Sequence, residues 1–386
     1  MRILALIALP FFLILSTDSG YGASNRAKND SIKPYRSFIV IEERTGVKLA
    51  SENEDERIAP ASLTKLMLSL IVLEKLKANE ISLDEKIRVS KEASKMGGSQ
   101  IYLKEGELFT LEELMKATLV ASANDAAYAI AERLAQTAED FVQLMNRKAK
   151  ALGLTKTLYK SVHGLPRLSQ TDTDLTTAKD VAILARELLK YPKILEWTSI
   201  KTETLRNGNL KIVNHNRLLT RMEGLVDGLK TGYLKICGYN IAVTAKKGDF
   251  RIIAVIMGSP TAKARDDFAM ELINKTFSEW SLKELVRERE IINKDIFLPD
   301  GKITKFKGMA SSSFKYPVRK DGGHTPDMAV ELSERIHGEI KEGQKLGEIV
   351  FRLEGTEIGK VDIVSPFDIP KANIVTRLIR RSGLNI

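Results

Sequence analysis

Pro60-Ala-Ser-Leu-Thr-Lys65, running directly into Leu66-Met-Leu-Ser-Leu-Ile-Val-Leu73, is the stretch on which the reading of this chain turns. Proline followed by small residues predicts a helix starting at Pro60. The run from Leu66 to Leu73 is apolar on nearly every side, and a helix without a polar face is enclosed by protein. Its shortness and the charges at its ends (Lys65, Glu74, Lys75, Lys77) exclude a bilayer span. Residues three apart on a helix share a face, so Ser62 and Lys65 are expected within hydrogen-bonding reach of each other. A serine hydroxyl is a weak nucleophile until a nearby base takes its proton. Lysine is such a base only when neutral, which burial and a second nearby cation both favour.

Two further segments supply what such a pair needs. Ser122-Ala-Asn124 falls at a junction between helices: Thr110-Leu-Glu-Glu113 reads as a capping box opening a helix to about Val120, and another begins near Asp125. Ser122 offers a hydroxyl for proton relay and Asn124 an amide for a substrate backbone, although Ser and Asn also serve simply as helix caps. Lys230-Thr-Gly232 lies in a strand expected over Val226–Leu234. There Lys230 could be the second cation, and Lys230 and Thr231 suit a terminal carboxylate. Gly232, lacking a side chain, lets an extended peptide approach the strand edge. The N–H groups of Ser62 and Tyr233 are candidates for an oxyanion hole.

In combination, these segments resemble the penicillin-binding protein and serine β-lactamase superfamily. Pro60-Ala-Ser-Leu-Thr-Lys65, Ala121-Ser-Ala-Asn-Asp125, His163-Gly-Leu165 and Leu229-Lys-Thr-Gly-Tyr233 closely resemble the low-molecular-mass D-alanyl-D-alanine carboxypeptidases. The resemblance implies that Ser62 is the acylated nucleophile and Lys65 its base, with Ser122 and Lys230 as the proton relay. It places Asn124, Thr231, Gly232, Tyr233, Arg265 and His163 at the substrate. Which lysine acts first stays open. The implied activity is removal of the terminal D-alanine from peptidoglycan stem peptides, with β-lactams acylating the same serine and no metal or organic cofactor. The motifs do not separate hydrolysis from transpeptidation or endopeptidase action. A β-lactamase is disfavoured, since Gly164 to Asp174 holds no glutamate to activate a deacylating water. An inactive wall-binding protein is disfavoured by the intact Ser62, Lys65, Ser122 and Lys230. Tyr233 stands where several family members have histidine.

The rest of the chain fits an exported enzyme. Met1-Arg2, the apolar Ile3–Leu15 and the small residues Gly20, Gly22 and Ala23 predict a signal peptide over 1–23. The single Cys237 rules out an intramolecular disulfide, and four scattered histidines show no metal-ligand spacing. A net charge of +10 without a compact basic run argues against nucleic acid and suits an anionic envelope.

The expected fold is α+β. A penicillin-binding, β-lactamase-like transpeptidase domain over 33–286 combines an antiparallel sheet flanked by helices with a helical lobe. Its strands include the hairpins 37–42/47–50 and 240–246/250–258, and its last helix is expected over Arg265–Trp280. A small all-β domain over 287–368 follows. Apolar Ile374, Val375, Leu378 and Ile379 alternate with Arg377, Arg380 and Arg381 in the tail 369–386, read as an amphipathic helix in peripheral contact with the periplasmic face of the cytoplasmic membrane. Docking of that helix on the β domain is the alternative.

Overall fold

The computed structural model describes residues 33–381, apart from 170 and 335. The expected signal peptide lies outside the described residues. A five-stranded antiparallel sheet organises the first part, in the order Lys48–Glu52, Ser37–Glu42, Phe250–Ser259, Gly238–Lys247, Val226–Leu234. Both faces are covered, which explains why Ser37–Glu42 shows no polar alternation. Phe38 and Val40 pack with Ala269, Leu272 and Ile273 of the helix Ala262–Glu279. Ile39 and Ile41 point the other way, into the core of the helical lobe.

The lobe is built around the helix Lys65–Lys77, whose residues from Lys65 to Leu73 are all buried, as its unbroken apolar run requires. A 3-10 turn, Ala61–Thr64, precedes it, so Ser62 sits on the tighter turn and Lys65 begins the α-helix. The capping box forms: Thr110 Oγ1 accepts from the Glu113 N–H at 3.1 Å, while Glu113 accepts from the Thr110 N–H at 2.8 Å. It opens the helix Leu111–Val120, and after a short break Asn124–Ala135 follows. Thr137 and Thr177 cap Ala138–Ala151 and Ala178–Leu188 by accepting from the N–H groups of Asp140 and Asp180.

The expected helix over Arg265–Trp280 ends at Glu279, because Trp280–Val286 is a strand paired with Phe314–Arg319. Sequence reasoning also passed over the hairpin Lys86–Arg88/Leu108–Thr110, the hairpin Thr202–Leu205/Leu210–Val213 and the strand Ile291–Phe297. These are short or carry polar residues on the solvent side, so their alternation is faint. The C-terminal part contains a second five-stranded sheet, ordered Ile291–Phe297, Lys305–Ala310, Thr356–Val364, Lys345–Leu353, Asp327–Leu332. Ile296, Leu346, Ile349, Phe351, Ile363 and Ile369 belong to its core. Because Ile369 bridges Ile340 inside that core, the terminal helix begins later than expected, at Ile374, and runs to Arg381.

Candidate active site

The turn carrying Ser62 is clamped from three directions, and each clamp uses a residue far away in the chain. From the central sheet, Asn240 Nδ2 donates to the carbonyls of Ala59 and Pro60 at 2.9 and 3.2 Å. Asp174, fully buried, accepts from Thr64 Oγ1 at 2.6 Å and from the N–H groups of Lys160 and Ser161 at 2.7 and 3.0 Å. Gly164 lies so close that a Cβ there would stand 2.0 Å from the Ala61 carbonyl oxygen.

Within this frame Lys65 Nζ lies 3.0 Å from Ser62 Oγ, 2.6 Å from Asn124 Oδ1 and 3.0 Å from the His163 carbonyl oxygen. None of these three neighbours carries a negative charge. The ammonium is therefore poorly compensated, and burial together with the nearby Lys230 holds the Lys65 pKa well below that of an ordinary lysine. Lys230 is also buried and is pushed down to about 7, first by burial and then by Arg265. Its Nζ donates to the Thr231 carbonyl at 3.0 Å.

Ser122 lies in the break between helices with φ of 60°, in the left-handed region that a side chain normally avoids. Asn124 opens the next helix. Its Nδ2 donates to the Gly97 carbonyl at 2.8 Å, so both ends of the amide are engaged within the protein, one of them on Lys65. Asp125 accepts from the N–H groups of Ile101 and Leu103 and holds the adjoining loop against this helix.

Val226–Leu234 is the outer strand of the sheet, so one edge of its backbone pairs with Gly238–Lys247 and the other faces the Ser62 turn. At Gly232 a Cβ would sit 2.7 Å from the Pro60 carbonyl oxygen and 3.1 Å from the Ser62 nitrogen; only glycine permits this approach. A cleft of about 470 Å³ opens here, lined by Ser62, Ser122, Thr231, Gly232, Tyr233 and Arg265 among others. That volume is in the range of small-ligand sites. Arg265 is held by Asp266, whose Oδ1 accepts from Nε and Nη2 at 2.9 and 2.7 Å. The chemistry available is a hydroxyl beside an amine whose charged form is disfavoured, at a cleft also lined by an ion-paired guanidinium.

The model of the D-alanyl-D-alanine carboxypeptidase family matches residues 24–261. The chain belongs to this family. A second model, for the C-terminal domain of penicillin-binding protein 5, matches residues 280–371. The chain is 34% identical to the D-alanyl-D-alanine carboxypeptidase DacF of Bacillus subtilis, over 99% of this chain and 98% of that protein. It is 31% identical to the D-alanyl-D-alanine carboxypeptidase DacC of Escherichia coli, over 90% and 87% of the two. Penicillin-binding protein 5 from Haemophilus influenzae superposes with a TM-score of 0.72 at 26% identity, covering 88% of this chain and 98% of that one. The expected penicillin-binding fold with its C-terminal all-β domain is the fold observed.

Within the family frame, the motif residues differ in how they reach the site. His163 reaches Lys65 through its carbonyl oxygen. Its ring accepts from the Leu165 N–H at 3.1 Å and lines a separate cavity of about 140 Å³ with Tyr128, Lys160 and Arg167. Burial lowers its pKa to about 3, with the Lys65 charge adding to the effect. Sequence reasoning missed Asn240, Asp174 and His215. His215 lines the cleft, and its pKa is lowered to about 4 by burial and then by Lys230, Lys65 and Arg265. An isolated His or Asn carries no local pattern; only the converging strands and loops bring these residues to the turn.

Proposed function

We propose that the chain is a serine-type D-Ala-D-Ala carboxypeptidase that trims peptidoglycan stem pentapeptides through an acyl-enzyme on Ser62. The observation that carries this reading is the buried Lys65 amine 3.0 Å from Ser62 Oγ, in a pocket that disfavours its charged form. Lys65 takes the Ser62 proton as Oγ bonds to the penultimate D-alanine carbonyl carbon. The resulting oxyanion is met by the N–H groups of Ser62 and Tyr233. The C–N bond to the terminal D-alanine then breaks, and its nitrogen takes up a proton through Ser122 and the lysines. Water attacks the ester, Ser62 recovers its proton, and the shortened peptide leaves.

Thr231 and Arg265 suit the free carboxylate of the terminal residue, and the outer edge of Val226–Leu234, beside the Ser62 turn, suits an extended peptide backbone. Asn124 acts here by holding Lys65. β-Lactams, which carry a reactive amide and a carboxylate in similar relation, acylate the same serine. Mass spectrometry of pentapeptide muropeptides incubated with the protein tests the reading. Loss of one alanine is expected, and Ser62→Ala abolishes both that loss and labelling by fluorescent penicillin. A wild-type protein that leaves the pentapeptide intact and takes no label would refute it.

The proposed location is the outer face of the cytoplasmic membrane, with the Ile374–Arg381 helix as a peripheral anchor. Ile374, Val375 and Leu378 are more than half exposed on this helix. Its other side faces the β domain, where Arg380 Nη1 donates to the Gly301 carbonyl at 2.8 Å and Arg377 lies 3.8 Å from Asp300. An apolar stripe turned outward from a docked helix suits the interfacial zone of a bilayer. Among the described residues, no helix is long and apolar enough to cross a membrane.

A further inference from the structure

Beside the carboxylate-binding corner of the cleft stands an aromatic pair that the chemistry above leaves unused. Tyr233 and Tyr239 are direct partners across adjacent strands, and their rings stack with centroids 4.3 Å apart and planes 28° from parallel. Tyr233 remains 52% exposed, and Val213, 55% exposed, lines the same cleft. Alternation along a strand puts Thr231 and Tyr233 on one face, with Cα atoms about 7 Å apart, while Lys230 and Gly232 take the other. Thr231 and Arg265 therefore share their side of the strand with the tyrosine stack. In the carboxypeptidase reading, the Tyr233 N–H, at the other end of the same short span, is the donor to the scissile carbonyl.

We infer that the Tyr233–Tyr239 stack, with Val213, is a side-chain subsite for the departing C-terminal residue, and that it admits apolar and aromatic D-amino acids larger than alanine. The inference rests on the carboxypeptidase reading. The terminal residue spans the gap between the Thr231–Arg265 corner and the Tyr233 N–H, so its side chain is the substrate group nearest to the stack. A methyl group would leave most of the exposed ring uncovered. A leucine-sized or phenyl group would cover it, and offset stacking on tyrosine is favourable for an aromatic ring. Because Arg265 is tied to Asp266, the carboxylate corner is fixed, and a longer side chain is accommodated without moving the charge contacts.

The test is steady-state hydrolysis, by the full chain, of diacyl tripeptides ending in D-Ala-D-Ala, D-Ala-D-Leu and D-Ala-D-Phe. The wild type is expected to keep kcat/KM for the D-Phe peptide within about tenfold of that for the D-Ala peptide, an apolar pocket gaining little discrimination against added carbon where there is room. Tyr239→Ala and Tyr233→Leu are expected to lower the D-Phe to D-Ala ratio by about tenfold or more, chiefly through KM, while Tyr239→Phe preserves it. Because the ratio is taken on one preparation, partial misfolding cancels. A wild type that rejects D-Phe more than about a hundredfold, or a ratio unmoved by the substitutions, overturns the subsite while leaving the carboxypeptidase reading intact. No turnover of any of the three peptides by the wild type overturns both.

Discussion

At the scale of single residues, the site is governed by two lysines that share one buried region without sharing a counter-ion. Burial first, and then repulsion from Lys230, holds the Lys65 pKa down; burial and then Arg265 push Lys230 down to about 7. Removing the Lys230 charge relieves the repulsion, so the Lys65 pKa rises and the neutral base persists only at higher pH. Lys230→Met is therefore expected to slow acylation by penicillin and to move the acid limb of its pH–rate profile upward; an acid limb left in place would show that Lys230 does not act on Lys65 through charge. His163 gives a second test. Its folded pKa of about 3 lies below the ordinary 6.5, so as pH falls through this window the unfolded chain takes up a proton that the fold refuses. Stability is lost from pH 6.5 downward, by about 1.4 kcal/mol for each pH unit well inside the window. Urea unfolding at pH 7 and at pH 4.5 is expected to show a smaller difference for His163→Gln than for the wild type.

At the scale of elements, the 3-10 turn that carries Ser62 is held between the sheet edge and the loop after His163. Gly164 is the tightest point, with φ of +93° and no space for a Cβ against Ala61. Gly164→Ala combines backbone strain with a steric clash on the turn that presents Ser62. A loss of about 3 kcal/mol or more is expected, read as a lower urea midpoint at unchanged m-value. Penicillin labelling of the fraction that remains folded is expected to slow as well, since Ser62 Oγ can no longer hold its place beside Lys65. A variant as stable and as quickly labelled as the wild type would mean that the turn can yield without cost.

At the scale of the whole molecule, the proposed anchor and the cleft belong to different parts of the chain. It touches the β domain at Gly301 and Asp300, whereas the cleft is built from the first sheet and the helical lobe. Removing the residues after Asn373 keeps Ile369 and Ala372, both buried, in the β-domain core. Such a truncated chain is expected to lose co-sedimentation with vesicles containing anionic lipid while hydrolysing a soluble D-Ala-D-Ala peptide at an unchanged rate. Persistent sedimentation would place the membrane contact elsewhere. Raising the salt concentration is expected to weaken binding of the full chain, because its basic groups act through a screened field.

Features that repeat over a few residues are legible in the chain without coordinates. Ser62 and Lys65 at i and i+3, the capping box at Thr110, the unbroken apolar run after Lys65 and the strand holding Lys230-Thr-Gly232 all follow from local periodicity and local hydrogen bonding. Resemblance to a family extended the list to Arg265 and His163. Only the tertiary contacts reveal that the Asn124 amide meets Lys65 across 59 residues, that Asn240 and Asp174 clamp the turn carrying Ser62, and that Trp280–Val286 leaves the helix before it to pair with Phe314–Arg319. The physical reason is the same in each case. A buried polar group or a mixed-polarity strand gains its stability from a partner distant in sequence, and nothing in the neighbouring residues records that partner.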